Sequence, residues 1–363
     1  MHGDIENQQF GWYWLALMVE CGIVTLEKFV EVCGSVEDAM KVSPKLLDSM
    51  NFLKDHVKAE ILKHRDISVL YEEYNKLPER GIHFVGRTHP DFPPGLKHVS
   101  PCPLGLFYVG KLPDPKKLSI AVVGARAASA FGLEMAQKIS GDLSRAGVQI
   151  VSGLALGIDG SAHRGALENG KNTFGVLGCG VNICYPKENM EIFEQMKTEG
   201  GILSEFPLGT PPVPWHFPFR NRIISGLSDG ILVVEARQKS GSLITASLGL
   251  EQGKDIFAVP GRPVDALSAG CNSLICDGAR LVSGAGDILE EYGISEKLEE
   301  KNKIGLAYLE NLVYSSLCLD AKSIGTVSGE VQLGYAQTAK LLFSLEKKGY
   351  VRQVGKNQYI RKL

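Results

Sequence analysis

The residues of this chain best suited to chemistry are small, hydroxyl-bearing or cationic, and they gather where apolar runs end. After the run at residues 231–234 comes Arg237-Gln238-Lys239-Ser240-Gly241-Ser242-Leu243-Ile244-Thr245-Ala246, which leads into a helical pattern. A helix starting there leaves first-turn N–H groups free; Gly241 has no side chain to block an anion, Ser242 is expected to cap the helix, and Thr245 adds a hydroxyl. That is the chemistry of a phosphate seat. The same composition recurs after other apolar runs: Gly124, Ala125 and Arg126 followed by Ser129; SGLALGIDGSAHRGAL at 152–167; Gly178 to Gly180, with Lys187 further on in YPKEN; HFPFRNRIISGL, carrying Arg220, Asn221 and Arg222; and PGRPVDALSAG, carrying Arg262.

Catalysis would need an acid, a base and a nucleophile. Asp159 and His163 are four apart and can share a helix face, and Glu235 ends an apolar run. Each also has a structural reading, Asp159 as a helix N-cap, His163 as an internal hydrogen-bonding partner, and Glu235 as the mate of an arginine. No nucleophile stands at motif spacing from a base and no acidic cluster suits Mg²⁺, so no catalytic residue and no metal ligand is assigned. G-x-x-x-x-G-K-[ST] is absent, and Gly124-Ala125-Arg126 replaces G-x-G-x-x-G, which sets a guanidinium where a dinucleotide pyrophosphate would lie. No cofactor is expected. Trp215, His216, Phe217 and Phe219 crowd ahead of Arg220 and Arg222; such aromatics serve either packing or the stacking of single-stranded bases.

These residues need a scaffold, and the pattern from Ser119 to about Tyr292 supplies one. SIAVVG, VQIVSG, TFGVLG, GILSEF, GILVVEA, DIFAVPG and ARLVSG alternate with helical segments. Continuous apolar runs mean strands buried on both faces, hence a doubly wound parallel sheet, an α/β fold whose ligands bind beyond the carboxyl ends of its strands. Before it, residues 9–74 read as short helices, with Thr25, Ser35 and Ser43 as N-caps and Pro44 in a first turn. Residues 75–118, rich in Pro and Gly, read as an ordered lead-in. After about residue 297 an amphipathic helix stopped by Gly349 precedes two short strands around a turn at Gly355 to Asn357, the winged-helix order, although SIGTVSGEVQLG makes a poor second helix. From Lys340 onward seven basic residues face one acid, Glu346, which suits a solvated face or a phosphate-bearing partner such as DNA. The expected division is 1–75, 76–295 (lead-in 76–118) and 296–363.

Over 363 residues the net charge is −2, so a polyanion site must be a local patch. The amino terminus lacks a signal-peptide pattern and no apolar run is of membrane-spanning length, so a cytoplasmic protein without membrane insertion is expected. Eight cysteines include no C-x-x-C; the spacings Cys179/Cys184 and Cys271/Cys276 suit buried small hydrophobes better than a metal.

VGAR, SGLALGIDGSAHRGAL, YPKEN, HFPFRNRIISGLSDGILVVEA, SGSLITA and PGRPVDALSAGCNSLICDGA, in this order over about residues 80–292, closely resemble the DprA (Smf, DNA-processing protein A) family. The resemblance implies an extended Rossmann core flanked by a small helical amino-terminal domain of the sterile-alpha-motif type and a winged-helix carboxy-terminal domain. It implies a non-enzymatic recombination mediator that binds single-stranded DNA, protects incoming strands, loads the RecA recombinase in natural transformation, and forms a homodimer through its Rossmann domain. Carried over by motif, the DNA-binding residues would be Gly124, Arg126, Ser129, Lys187, Arg220, Asn221, Arg222, Lys239, Ser240, Gly241, Ser242, Thr245 and Arg262. The family's first loop is commonly Gly-Ser-Arg, and here Ala125 replaces the serine. Cys21-Gly22-Ile23-Val24 stands where a Pro-Gly-Ile-Gly hairpin often occurs, so DNA binding by the amino-terminal helices is not expected. The alternative is a nucleotide phosphoribohydrolase of the lysine-decarboxylase-like Rossmann group, whose P-G-G-x-G-T-x-x-E loop supplies a catalytic glutamate. Here the loop reads KSGSLITASLGLEQ, without the double glycine and with Glu251 displaced. A duplex-DNA regulator using the winged helix alone would leave the basic crevice unexplained.

Overall fold

The computed structural model describes residues 2–294 and 308–362. It opens with α1 (His2–Ala16), α2 (Ile23–Cys33), α3 (Val36–Met40), α4 (Pro44–Ser49), α5 (Asp55–Lys63) and α6 (Ile67–Asn75). Ser35 and Ser43 cap α3 and α4 by accepting the N–H groups of Asp38 and Leu46, with Pro44 in the first turn of α4. Thr25 caps nothing: it lies inside α2, whose N-cap is Gly22 at φ 92°, so a glycine-only backbone turn starts the helix ahead of the hydroxyl.

The sheet holds β1 (Ile82–Gly86), β2 (Gly105–Gly110), β3 (Ser119–Val123), β4 (Gln149–Ser152), β5 (Thr173–Val176), β6 (Gly201–Ser204), β7 (Gly230–Val233), β8 (Asp255–Ala258) and β9 (Arg280–Leu281). Their order is β1-β2-β6-β5-β4-β3-β7-β8-β9, and β3 to β9 are mutually parallel. Every expected strand is present. The fold is α/β, with α7 (Ala130–Arg145), α8 (Ile158–Asn169), α9 (Met190–Glu199), α10 (His216–Gly226), α11 (Gly241–Glu251), α12 (Ala269–Cys276) and α13 (Ala285–Glu291) flanking the sheet. Ala121 and Val123 feed the core on one face while Ile120 and Val122 feed the other, as a strand buried on both sides requires. Strands wind outward from β3 to β6, and then the chain returns to place β7 on the opposite side of β3. The gap beyond the ends of β3 and β7 is the topological switch point, where this fold class binds ligands.

The lead-in contains two strands that the sequence reading did not separate. β1 and β2 pair antiparallel and β2 continues antiparallel onto β6. Pro93, Pro94, Pro101 and Pro103 lie in their connection and break up the pattern. The amino-terminal helices cover this extension. Tyr13 meets Phe84 and Phe107 at centroid distances of 5.6 and 5.9 Å, and Gly86 packs so closely that a Cβ there would stand 2.6 Å from Trp12. One apolar cluster runs from Phe10 and Trp14 through Ile82 and Phe107 to Ile202 and Phe206.

The carboxy-terminal elements are α14 (Tyr308–Ser316), β10 (Lys322–Ser323), α15 (Ile324–Val331), α16 (Tyr335–Lys347), β11 (Val351–Gly355) and β12 (Gln358–Arg361), around a core of their own that includes Val313, Val327, Leu342 and Leu345. The segment read as a poor second helix does form α15, because Ser323 caps it through the Thr326 N–H. The expected boundary at 295/296 lies outside the described residues. Arg352 of β11 reaches Glu134 of α7 at 3.2 Å, and Arg262 pairs with Asp320.

His163 of α8 is buried behind the sheet. Its Nδ1 lies 2.7 Å from the Thr173 hydroxyl, which itself donates to the Ile150 carbonyl at 3.1 Å, so the ring donates through Nδ1 and the Nε2 lone pair has no partner among the described residues. Burial, reinforced by the Arg220 charge, lowers its pKa to about 3. Because the folded value lies below the unfolded one, stability is fully present above about pH 6.5 and is lost as the pH falls toward the folded value. Between pH 6.5 and 5 the native chain is expected to lose about 2 kcal/mol more than His163→Asn, which keeps a donor for Thr173 but cannot titrate. Urea unfolding across that range checks it; parallel curves for the two proteins would count against it.

Candidate nucleic-acid interface

A cleft of about 560 Å³ opens at the switch point, walled by residues 124–127 after β3, by residues 237–242 after β7, and by α10. On one wall the exposed Arg126 guanidinium lies 5.2 Å from the Phe217 ring, and Tyr185 lies 5.6 Å from the same ring at 32°. These two rings and the cation above them form an aromatic ledge. On the other wall Arg237 and Lys239 are exposed.

The seat at α11 is built as its composition requires, with one change. Ser240, not Ser242, is the N-cap: its hydroxyl accepts the Ser242 N–H at 3.4 Å and lies 2.7 Å from the Ser242 hydroxyl. Helix α11 therefore starts at Gly241, which puts Ser242 and Thr245, both buried, in its opening turns beside the cleft. A Cβ at Gly241 would meet only open space, so the first-turn N–H groups are approachable. Asn221 Nδ2 donates to the Gly241 carbonyl at 3.4 Å and ties α10 to this turn.

Asp159 and Arg220 line the cleft at its floor. Asp159 is not the N-cap of α8. Gly157, at φ 77°, takes that place, because a Cβ there would stand 2.3 Å from the Ala125 carbonyl oxygen. Asp159 instead accepts the Gly153 N–H at 3.1 Å; burial raises its pKa, and the nearby Arg220 charge opposes that rise. Burial brings the Arg220 pKa down to about 10, against the pull of Asp159, so the guanidinium stays charged at neutral pH. Arg220 donates to the Val176 carbonyl and lies flat on Gly153, where any side chain would collide with it.

Several residues expected at the groove do other work. Arg222 is buried and makes paired hydrogen bonds of 2.6 Å to both oxygens of buried Glu205, with its Nε on the Pro101 carbonyl at 3.0 Å. It clamps α10 to the end of β6. Arg262 pairs with Asp320 away from the cleft wall. Ser129 caps α7 and hydrogen-bonds Glu235, so Glu235 pairs with this serine and not with an arginine. Gly124 does line the cleft, and its lack of a side chain lets Ile158 and the Glu235 carbonyl approach. Lys187 is exposed on the flank beyond the lining, two residues after Tyr185. Tyr185, in the same YPKEN segment, was not singled out from the sequence; an aromatic residue two positions ahead of a lysine was the available signal. Trp215 is half exposed, Phe219 packs under Arg222, and His216 is buried between the Gly178 carbonyl and Glu20.

No group of His, Cys, Asp or Glu suited to a metal occurs among the described residues. Burial raises the thiols of Cys179 and Cys271 to about 11 and 12, as for cysteines that serve packing. Among the described residues no helix is long and apolar enough to cross a membrane.

The family model for DNA recombination-mediator protein A matches residues 83–293, the stretch that builds the sheet and every wall of the cleft. The chain belongs to that family. It is similar to the DNA processing protein DprA of Streptococcus pneumoniae, at 40% identity over 241 residues, covering 64% of this chain and 85% of that protein. It is similar to protein Smf of Escherichia coli at 44% over 251 residues, covering 65% and 67%. Among solved structures, the X-ray structure of the Streptococcus pneumoniae protein matches with a TM-score of 0.67 at 35% identity, over 78% of this chain and 97% of that one. A DNA processing protein A from Helicobacter pylori, solved for its single-stranded DNA binding mode, matches with a TM-score of 0.52 at 27% identity, over 58% and 95%.

Proposed function

We propose that this recombination mediator binds single-stranded DNA along the switch-point cleft, protects incoming strands in the cytoplasm, loads the RecA recombinase in natural transformation, and does so as a homodimer through its α/β core. One observation carries the reading: exposed Arg237 and Lys239 and the open first turn of α11 face the Tyr185–Phe217 ledge, with Arg126 above it, across one cleft. Phosphates meet cations and helix N–H groups while bases find rings to stack on, the combination that suits a single strand irrespective of sequence. Lys187 extends the path along the flank. The Helicobacter relative supports the same ligand. We place the helices before residue 76 and the helix-plus-hairpin unit after residue 295 as accessory domains, the latter as a winged helix that contacts DNA or a partner.

The role is binding without catalysis. Asp159, His163 and Glu235 are spent holding Gly153, Thr173 and Ser129. The hydrolase reading needs a glutamate near the start of α11, and Glu251 stands at its far end.

Fluorescence anisotropy of labelled oligo-dT at several salt concentrations tests the reading. Preferential single-strand binding over duplex, with log affinity falling by about 0.7 per neutralised phosphate on the log-salt axis, is expected. Displacement by low AMP with weak oligonucleotide binding would favour the hydrolase. Tyr185→Ala is expected to weaken oligo-dT by about 1–3 kcal/mol with the salt slope unchanged, because stacking carries no charge. A loss that tracks salt would show that the ring only props up Arg126.

A further inference from the structure

In an open α/β sheet the helix that follows the first parallel strand ordinarily turns its N-terminus toward a ligand phosphate. Here that helix is α7, reached from the cleft wall through the loop that carries Ala127, and a carboxylate of the chain itself sits at its N-terminus. The Ser129 N–H donates to Glu235 Oε2 at 2.9 Å, and the Ser129 hydroxyl donates to Oε1. Gly132, in the first turn, leaves just enough room: a Cβ there would stand 2.4 Å from the carboxylate. Glu235 is buried, and its backbone carbonyl accepts the Ala125 N–H at 2.8 Å, so the residue joins the end of β7 to the β3 loop by both backbone and side chain.

We propose that Glu235 is a specificity-determining residue, a built-in anion that fills the phosphate seat of α7. With that seat closed by charge and bulk, the cleft offers only its α11 wall and its exposed cations. A free nucleotide whose phosphates need the first helix finds its place taken. A polymer backbone running along the walls does not need it. The consequence for ligand choice rests on the single-strand reading above; the occupancy of α7 does not.

The test uses the full chain and inorganic phosphate as probe, at ionic strength matched with chloride, following amide nitrogen–proton shifts and thermal unfolding. Wild-type protein is expected to show no phosphate-dependent shift at Ser129 or Gly132. Glu235→Ala is expected to melt lower in chloride, to show shifts at both amides in phosphate, and to regain roughly 3–6 °C at phosphate about tenfold above its dissociation constant. A folded variant whose amides stay still and whose melting ignores phosphate would overturn the proposal. If Glu235→Ala does not fold, Glu235→Gln keeps the shape without the charge and is expected to shift the same amides at higher phosphate. Shifts at Ser129 and Gly132 in the wild type would overturn the proposal with no variant at all. Oligo-dT binding by the wild type is scored separately: its absence alongside phosphate rescue of the variant sinks the single-strand reading and leaves the plugged helix standing.

Discussion

Arg222→Ala is expected to lose about 3–5 kcal/mol of folding stability, because it strands a buried carboxylate without its partner. Arg222 and Glu205 have side chains only 4% and 1% exposed, so the native fold gives the carboxylate no bulk solvent in place of its partner. Glu205→Ala is expected to cost a comparable amount by stranding the arginine. Replacing both with Met and Leu should restore most of the loss, since well-packed apolar residues often match or exceed a buried ion pair. Urea unfolding measures all three. The same set decides whether Arg222 touches DNA: whatever fraction of the single variants folds at low temperature should bind oligo-dT with the wild-type salt slope. A slope reduced by about 0.7 would mean that the arginine reaches a phosphate after all.

The combined variant Arg126→Ala, Lys187→Ala, Lys239→Ala is expected to behave in the opposite way. All three side chains are exposed, so its melting temperature should stay close to wild type. If each cation contacts one phosphate of a single strand, the salt slope should fall by about 2, three times the single-contact value. At roughly 1.5 kcal/mol for each charged hydrogen bond, affinity at low salt should drop on the order of 1000-fold. Single substitutions should each take about a third of the slope. A protein that keeps both affinity and slope would place the strand elsewhere on the molecule.

The sheet was legible because strands buried on both faces leave apolar runs, as β3 to β7 do, while the outer strands β8 and β9 are partly exposed. The antiparallel extension was not: β1 and β2 are separated by a proline-rich connection that reads as loop, and only pairing with β6 makes them strands. At the site, residue type and place in sequence pointed to Arg126, Lys239 and Gly241, which the fold sets on the walls of the cleft. They could not separate Arg220 from Arg222. Two residues apart on α10, the first turns to the cleft floor over Gly153 and the second away to Glu205, and the decision belongs to the partners that each meets across the fold. Ser240 and Ser242 pose the same problem on a smaller scale, since either hydroxyl suits a cap, and it is the extended backbone at Ser240 (φ −96°, ψ 144°) that makes it the residue outside the helix.

The apolar seam between α1 and the β1–β2 extension limits how this polypeptide can be cut. Shortening it to begin after residue 75 would bare Phe107 and the aromatic face of Phe84, and would unroof the cluster that continues to Phe206 under α10. Such a fragment is not the mediator minus an ornament but a protein with a sticky flank, prone to pair with itself.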